Sequence, residues 1–217
     1  MNKRWEILPI DEKKQILLEK NLHISSSLAE ILTRKNLDEN SAKLFLNPTK
    51  IPYHDPFLLK DMEKACQRLL LALKNKEKIC IYGDYDVDGV SSTALLMTVF
   101  TKLGFNIDYY LPDRHSEGYG LHIESLQKLI PKYDLLITVD CGITALDEVD
   151  YAKDKIDMII TDHHLPREIL PDAFAIINPT QTQCNYPNKN LCGVGVAFKL
   201  CQGLYQSLNK DIHELEN

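Results

Sequence analysis

From Lys78 onward the chain alternates short apolar runs with longer amphipathic ones, and this alternation restricts the fold more than any other feature. KICIY (78–82), NIDYYLP (106–112), DLLITVD (134–140), IDMIIT (156–161) and DAFAIIN (172–178) read as strands. VSSTALLMTVFTKLG (90–104), LHIESLQKLI (121–130) and TALDEVDYAKDK (144–155) read as helices between them. GVGVAFKLCQGLYQSL (193–208) reads as a last helix opened by glycines. Strands that alternate with helices predict an α/β fold, a doubly wound and mainly parallel sheet with helices on both faces.

Before Lys78 the texture is helical. DEKKQILLEKN and LDENSAKLFLNP are short amphipathic stretches, the second stopped by Pro48, and SSSLAEILTRKN opens on a capping box from Ser27 to Glu30. After a proline-marked connection, Met62, Ala65, Cys66, Leu69, Leu70 and Leu73 form one apolar helix face. The expected organisation is a helical amino-terminal region, 1–76, followed by an α/β domain, 77–217. A chain of 217 residues, 44% apolar and 26% charged, is long enough for a buried core with a helical appendage. No apolar run approaches the ~18 residues of a membrane span. The start, MNKRWEILPIDEKK, has no apolar stretch of the kind a secretory leader needs. The six cysteines form no C-x-x-C pair, and Cys80 and Cys141 sit in or beside apolar runs as reduced, buried thiols would. A reducing cytoplasm is the expected compartment. The net charge of −6 argues mildly against non-specific binding of nucleic acid, unless the acids hold cations.

Several acids are placed as if they do. GDYDVDG puts Asp84, Asp86 and Asp88 on alternate positions, where carboxylates repel unless a cation lies among them. A calcium loop of the EF-hand type fails, because its twelfth position is Leu95 and a strand precedes it. In open parallel sheets ligands bind beyond the carboxyl ends of the strands. KICIY runs into Asp84, Asp86 and Asp88; DLLITV into Asp140; IDMIIT into Asp162, His163 and His164. Carboxylates with one or two imidazoles suit Mn²⁺ or Mg²⁺, and this number of candidates exceeds what one hydrated ion needs. Two ions that share a water favour hydrolysis at phosphorus. Any one of these aspartates is as readily a turn or cap residue, so the reading rests on the three clusters together. Arg114 follows the second strand and is either a phosphate clamp or a surface arginine. Gly193 and Gly195 open the last helix, as a phosphate seat or for close helix packing. His54, His115, His122 and His213 have no evident partner in the sequence.

YGDYDVDGVSSTALL, VDCGITALDEV and TDHHLP resemble, in order and spacing, the first three motifs of the DHH phosphoesterase superfamily. Within it, FLNP, DPFLLKDM, EGYGL, INP and GVGVAFKL resemble the RecJ family of single-stranded-DNA-specific exonucleases, from about Lys3 to about Leu204. The resemblance implies a metal-dependent hydrolase that degrades single-stranded DNA from the 5′ end in DNA repair and recombination, with unidentified repair proteins as further partners. Asp84, Asp86, Asp88, Asp140 and His163 then hold metal, Asp140 as a bridge. His164 and Asp162 are the proton donor or its support, and Arg114, Gly193 and Gly195 touch substrate. Members of the family carry a fourth motif with a further metal-binding aspartate, then an associated domain, and none of these follows NKDIHELEN. The sequence is thus expected to be the amino-terminal part of such an enzyme, with reduced or no activity alone. Two alternatives stay open: a phosphoesterase for short oligonucleotides or cyclic dinucleotides, and a non-catalytic binding module of the same fold.

Overall fold

The computed structural model describes residues 9–48 and 53–215. The segment read as lacking a leader, residues 1–8, and part of the proline-marked connection, 49–52, lie outside them. The chain divides into two units, Met1–Tyr53 and His54–Asn217. The first contains α1 (Glu12–Leu22), α2 (Ser26–Arg34) and α3 (Glu39–Leu46), which bury Leu18, Ala29, Leu32 and Ala42. Each helix is capped by a side chain that accepts from a first-turn amide: Asp11 from Lys14, Ser25 from Leu28, Asp38 from Ser41. The capping box expected at Ser27 is not formed. The cap is Ser25, two residues earlier, which puts Leu28 where the box needs an acid, and Glu30 instead pairs with Arg34.

The second unit holds α4 (Met62–Asn75), β1 (Lys78–Tyr82), α5 (Val87–Lys102), β2 (Asn106–Tyr110), α6 (Ile123–Leu129), β3 (Leu135–Val139), α7 (Leu146–Ala152), β4 (Asp157–Thr161), β5 (Ala175–Ile177) and α8 (Gly193–Ser207). All five strands are parallel, in the order β2-β1-β3-β4-β5. The fold is α/β and doubly wound. Ile79, Ile81, Leu135, Ile137, Val139 and Ile159 face a core shared with α4, α5 and α8. Cys80, Tyr82, Leu136, Met158 and Ile160 face the other core, with α6 and α7. Because both faces are covered, the central strands are apolar at every position rather than alternating. The edge strand β2 alone is largely exposed.

Helix α4 lies in the second unit, which begins at His54. Its apolar stripe packs on α8 so closely that a Cβ on Gly203 would stand 2.9 Å from the Met62 sulfur and 3.1 Å from that of Cys66. Arg68 pins α4 to the amino ends of the strands. Its Nε donates to Asp157 at 2.6 Å and its Nη1 to Glu77 at 2.7 Å. Arg68 is buried and Glu77 nearly so, whereas Asp157 is 44% exposed. Removing the guanidinium strands one acid more than the other, so Arg68→Ala should lose about 2–3 kcal/mol in a urea titration. An unchanged midpoint would show that water replaces it. Among the described residues no helix is long and apolar enough to cross a membrane.

Candidate metal centre

The order 2-1-3-4-5 reverses direction between β1 and β3, the place where a doubly wound sheet opens a crevice beyond its carboxyl edge. The ladder runs one residue past each strand and thereby sets the polar groups. Gly83 donates to the Tyr110 carbonyl, Asp140 to that of Thr161 and Asp162 to that of Ile177, at 3.0, 3.0 and 3.1 Å. Asp140 then turns through a left-handed conformation, φ +61°, which is uncommon for a residue other than glycine and aims its side chain across the crevice.

Asp84, Asp86 and Asp140 each bring a carboxylate oxygen within 4.8 Å of the other two, and Asp140, His163 and His164 form a second such group. Asp84 and Asp140 are 1% exposed, yet neither oxygen of Asp84 nor Oδ1 of Asp140 has a hydrogen-bond partner. A buried carboxylate oxygen without a donor is rare and costly. His163 Nε2 lies 3.2 Å from Asp140 Oδ1 and 3.6 Å from Asp88 Oδ2. Burial, reinforced by Asp88 and Asp86, pushes the Asp140 carboxyl up to about 8. Burial raises Asp84 too, against an opposing pull from the Tyr85 amide and with help from the charge of Asp86. Orphaned oxygens, crowded acids and an imidazole aimed at the same point fit divalent cations held by oxygen and nitrogen.

Asp86 and Asp88 have second tasks. Asp86 caps α5, accepting from the Gly89 amide at 2.9 Å, so the helix starts inside the acidic motif rather than at Val90. Asp88 accepts from the amides of Gly193 and Val194 at 2.6 and 2.7 Å. The Gly193 amide, read from sequence as a possible phosphate seat, is therefore directed at Asp88. Gly193 also leaves room for the centre, since a Cβ there would stand 2.5 Å from Asp140 Oδ1. Gly195 is further away, in ordinary packing range of Leu191.

Asp162 does not share the unsatisfied state of Asp84 and Asp140. Its Oδ2 accepts from the Ile143 amide at 2.9 Å, and its Oδ1 from the amides of His163 and His164 and lies 2.7 Å from His164 Nδ1. Burial works to raise Asp162, but these donors outweigh it and hold the carboxyl below its usual value. The same contact raises His164. His164 Nε2 lies 3.2 Å from the Tyr119 hydroxyl, and Tyr119 meets Tyr85 edge to face at 6.5 Å. Arg114 is exposed on the rim, its guanidinium 5.4 Å from the centre of the Tyr85 ring. Cys141 is a buried thiol, pushed well up by burial, and packs beneath the centre.

Two contributors escaped the sequence reading, although EGYGL and INP contain them. Tyr119 is one. Asn178 is the other: fully buried, it donates to the His164 carbonyl at 2.9 Å and accepts from the Thr180 amide at 2.8 Å, which clasps the His163-His164 turn. Asn178→Ala should weaken Mn²⁺ binding by about 10–100-fold, as loss of an outer support does. Unchanged affinity in a Mn²⁺ titration would show that the turn holds itself.

Residues 78–216 match the DHH family, N-terminal domain. The chain is 43% identical over 215 residues to the single-stranded-DNA-specific exonuclease RecJ of Bacillus subtilis strain 168, covering 98% of this chain and 27% of that protein. The RecJ of Escherichia coli K12 is 44% identical over 149 residues, 67% of this chain and 26% of the relative. A crystal structure of exonuclease RecJ bound to manganese superposes with a TM-score of 0.67 at 34% identity, over 74% of this chain and 41% of that one. The RecJ of Thermus thermophilus in complex with Mn²⁺ gives 0.73 at 26% identity, over 98% of this chain and 31% of that one. The chain thus spans about a quarter of the length of the curated relatives it matches.

Proposed function

The chain belongs to the DHH family, and on that premise we propose that its metal centre serves the hydrolysis of phosphodiester bonds in single-stranded DNA, from the 5′ end, in repair and recombination. The observation that carries this reading is the set of buried oxygens of Asp84 and Asp140 that no hydrogen bond satisfies, with the His163 imidazole 3.2 Å from Asp140 Oδ1. Asp84, Asp86, Asp88, Asp140 and His163 would hold Mn²⁺ or Mg²⁺, and Asp140 belongs to both of the groups that could take an ion. Bound ions supply Lewis acidity for water and charge for the phosphoryl oxygens. The remaining work falls to the chain. Asp162 is an acceptor only, so it fixes the His164 proton on Nδ1 and turns Nε2 toward the crevice. A second proton on Nε2, favoured by the raised affinity of His164, is available to the leaving oxygen. Arg114 steadies the strand at the rim. The six cysteines are free thiols, which supports a reducing cytoplasm as the compartment, and repair proteins remain unidentified partners.

The test is Mn²⁺-dependent release of nucleotides from a 5′-phosphorylated single-stranded oligonucleotide, against Asp88→Ala. Release should fall by roughly 10²–10³-fold in the variant. Equal cleavage of duplex DNA would remove the strand preference. No cleavage of DNA or of bis(4-nitrophenyl) phosphate, with Mn²⁺ bound, would make this chain an incomplete enzyme or a binding module of the same fold.

A further inference from the structure

Beside the metal centre, a cavity of about 380 Å³ opens between the loops that follow β2, β3 and β4. It lies toward α6 and α7, and it shares Asp162 and His164 with the centre. Leu121, Ile143 and Ala145 give it an apolar lining, Tyr119 adds an aromatic ring, and Glu148 and Arg167 bring one charge of each sign. Gly142, also in the lining, stands at φ +107°, and a Cβ there would meet Thr138 Oγ1 at 2.9 Å, so no side chain is accommodated at that position.

A phosphate held at the centre needs space for the nucleoside attached to it. Toward α5 and α8 the crevice is closed, because Asp88 is tied to the first amides of α8 and Gly193 packs on Asp140. Toward α6 and α7 it is open. The cavity falls in the ~300–1,000 Å³ range of small-ligand sites and combines apolar walls with a few polar groups, as those sites do. A second phosphate would face Glu148 and Asp162 there, whereas a planar base offers apolar faces to the walls and donors and acceptors to Glu148 and Arg167. Stacking on apolar and aromatic groups also tolerates every base. We propose that this cavity is a nucleobase subsite, which takes the base of the nucleotide whose phosphate sits at the metal centre. It rests on the phosphodiesterase reading above.

The experiment compares 2′-deoxyadenosine 5′-monophosphate with deoxyribose 5-phosphate by calorimetry on the full chain in Mg²⁺. The two carry the same phosphate and sugar and differ by the base. The nucleotide should bind about tenfold tighter or more. Saturation transfer from the base protons should reach the methyl groups of Ile143 and Ala145. Ala145→Trp, which fills the cavity, should abolish the advantage of the nucleotide while the sugar phosphate binds as before. Equal affinity of the two, or no measurable binding of either, overturns the subsite, and neither result requires a variant that folds. Hydrolysis of bis(4-nitrophenyl) phosphate with Mn²⁺ is measured in parallel and has no base to place. Hydrolysis without a base advantage removes the subsite and leaves the phosphodiesterase. A base advantage without hydrolysis keeps the subsite and shows that this chain does not complete hydrolysis by itself.

Discussion

Asp140→Asn is expected to lower Mn²⁺-dependent cleavage by about 10²–10³-fold and, in the same protein without metal, to raise the melting temperature. The two effects have one cause. Asp140 is buried, one of its oxygens makes no hydrogen bond, and Asp88 and Asp86 crowd it. Asparagine has nearly the same shape and no charge, so it relieves burial and repulsion while removing the ligand. The relief is worth about 1–2 kcal/mol, or roughly 2–8 °C in a chain of this length. The pH dependence has a definite sign. The folded carboxyl holds its proton up to about 8, against 3.8 for an ordinary aspartate, so the folded state binds the proton more tightly. Metal-free stability should therefore fall as pH rises through that window, and the variant should lack this component of the slope. A variant that loses activity and also melts lower would make Asp140 a structural residue instead.

Gly89→Ala is expected to cost at least about 3 kcal/mol of steric strain. Alanine is the better helix former by about 1 kcal/mol, and Gly89 lies in the first turn of α5. The propensity loses, because a Cβ would stand 2.5 Å from the Asp84 carbonyl oxygen and 2.7 Å from the Asp84 amide nitrogen and Cβ. Most of those atoms are backbone and none can rotate away without moving the metal centre. Gly104 is the contrast: a Cβ there meets nothing within 4 Å, but φ is +86°. Its replacement by alanine costs only the left-handed conformation, about 1 kcal/mol. Urea midpoints should rank Gly89→Ala well below Gly104→Ala, and a stabilised Gly89→Ala would contradict the close approach.

The strands were legible because their constraint is local. KICIY, DLLITV and IDMIIT are buried on both faces, so burial is written continuously along each run, and the acid that follows marks the crevice. Resemblance to a family then supplied roles that spacing alone leaves open. Features that depend on distant partners were not legible. Helix α4 looks like the helices before it, and the partners that tie it to the second unit, Gly203 and Asp157, lie far along the chain. Ser25 and Ser27 are equivalent as caps until tertiary packing selects the first helical turn. Val87 looked like loop because aspartates surround it, although Asp86 is well suited to cap a helix there. Asn178 and Tyr119 act on His164 across 14 and 45 positions, and nothing in a short window carries such a contact.

The clasp of Asp88 on the first turn of α8 spans 105 and 106 positions. A ribosome that has just released GDYDVDG must add about a hundred more residues before Gly193 and Val194 emerge, roughly 5–20 s of synthesis. Through that interval the acidic motif lacks the two amides that receive Asp88, and parallel pairing of β1 with β3 and β4 is itself slow to nucleate. The centre is thus completed at the end of translation of this segment, whatever the order in which its strands pair, and a nascent chain halted before α8 would display its acids with that receptor still unmade.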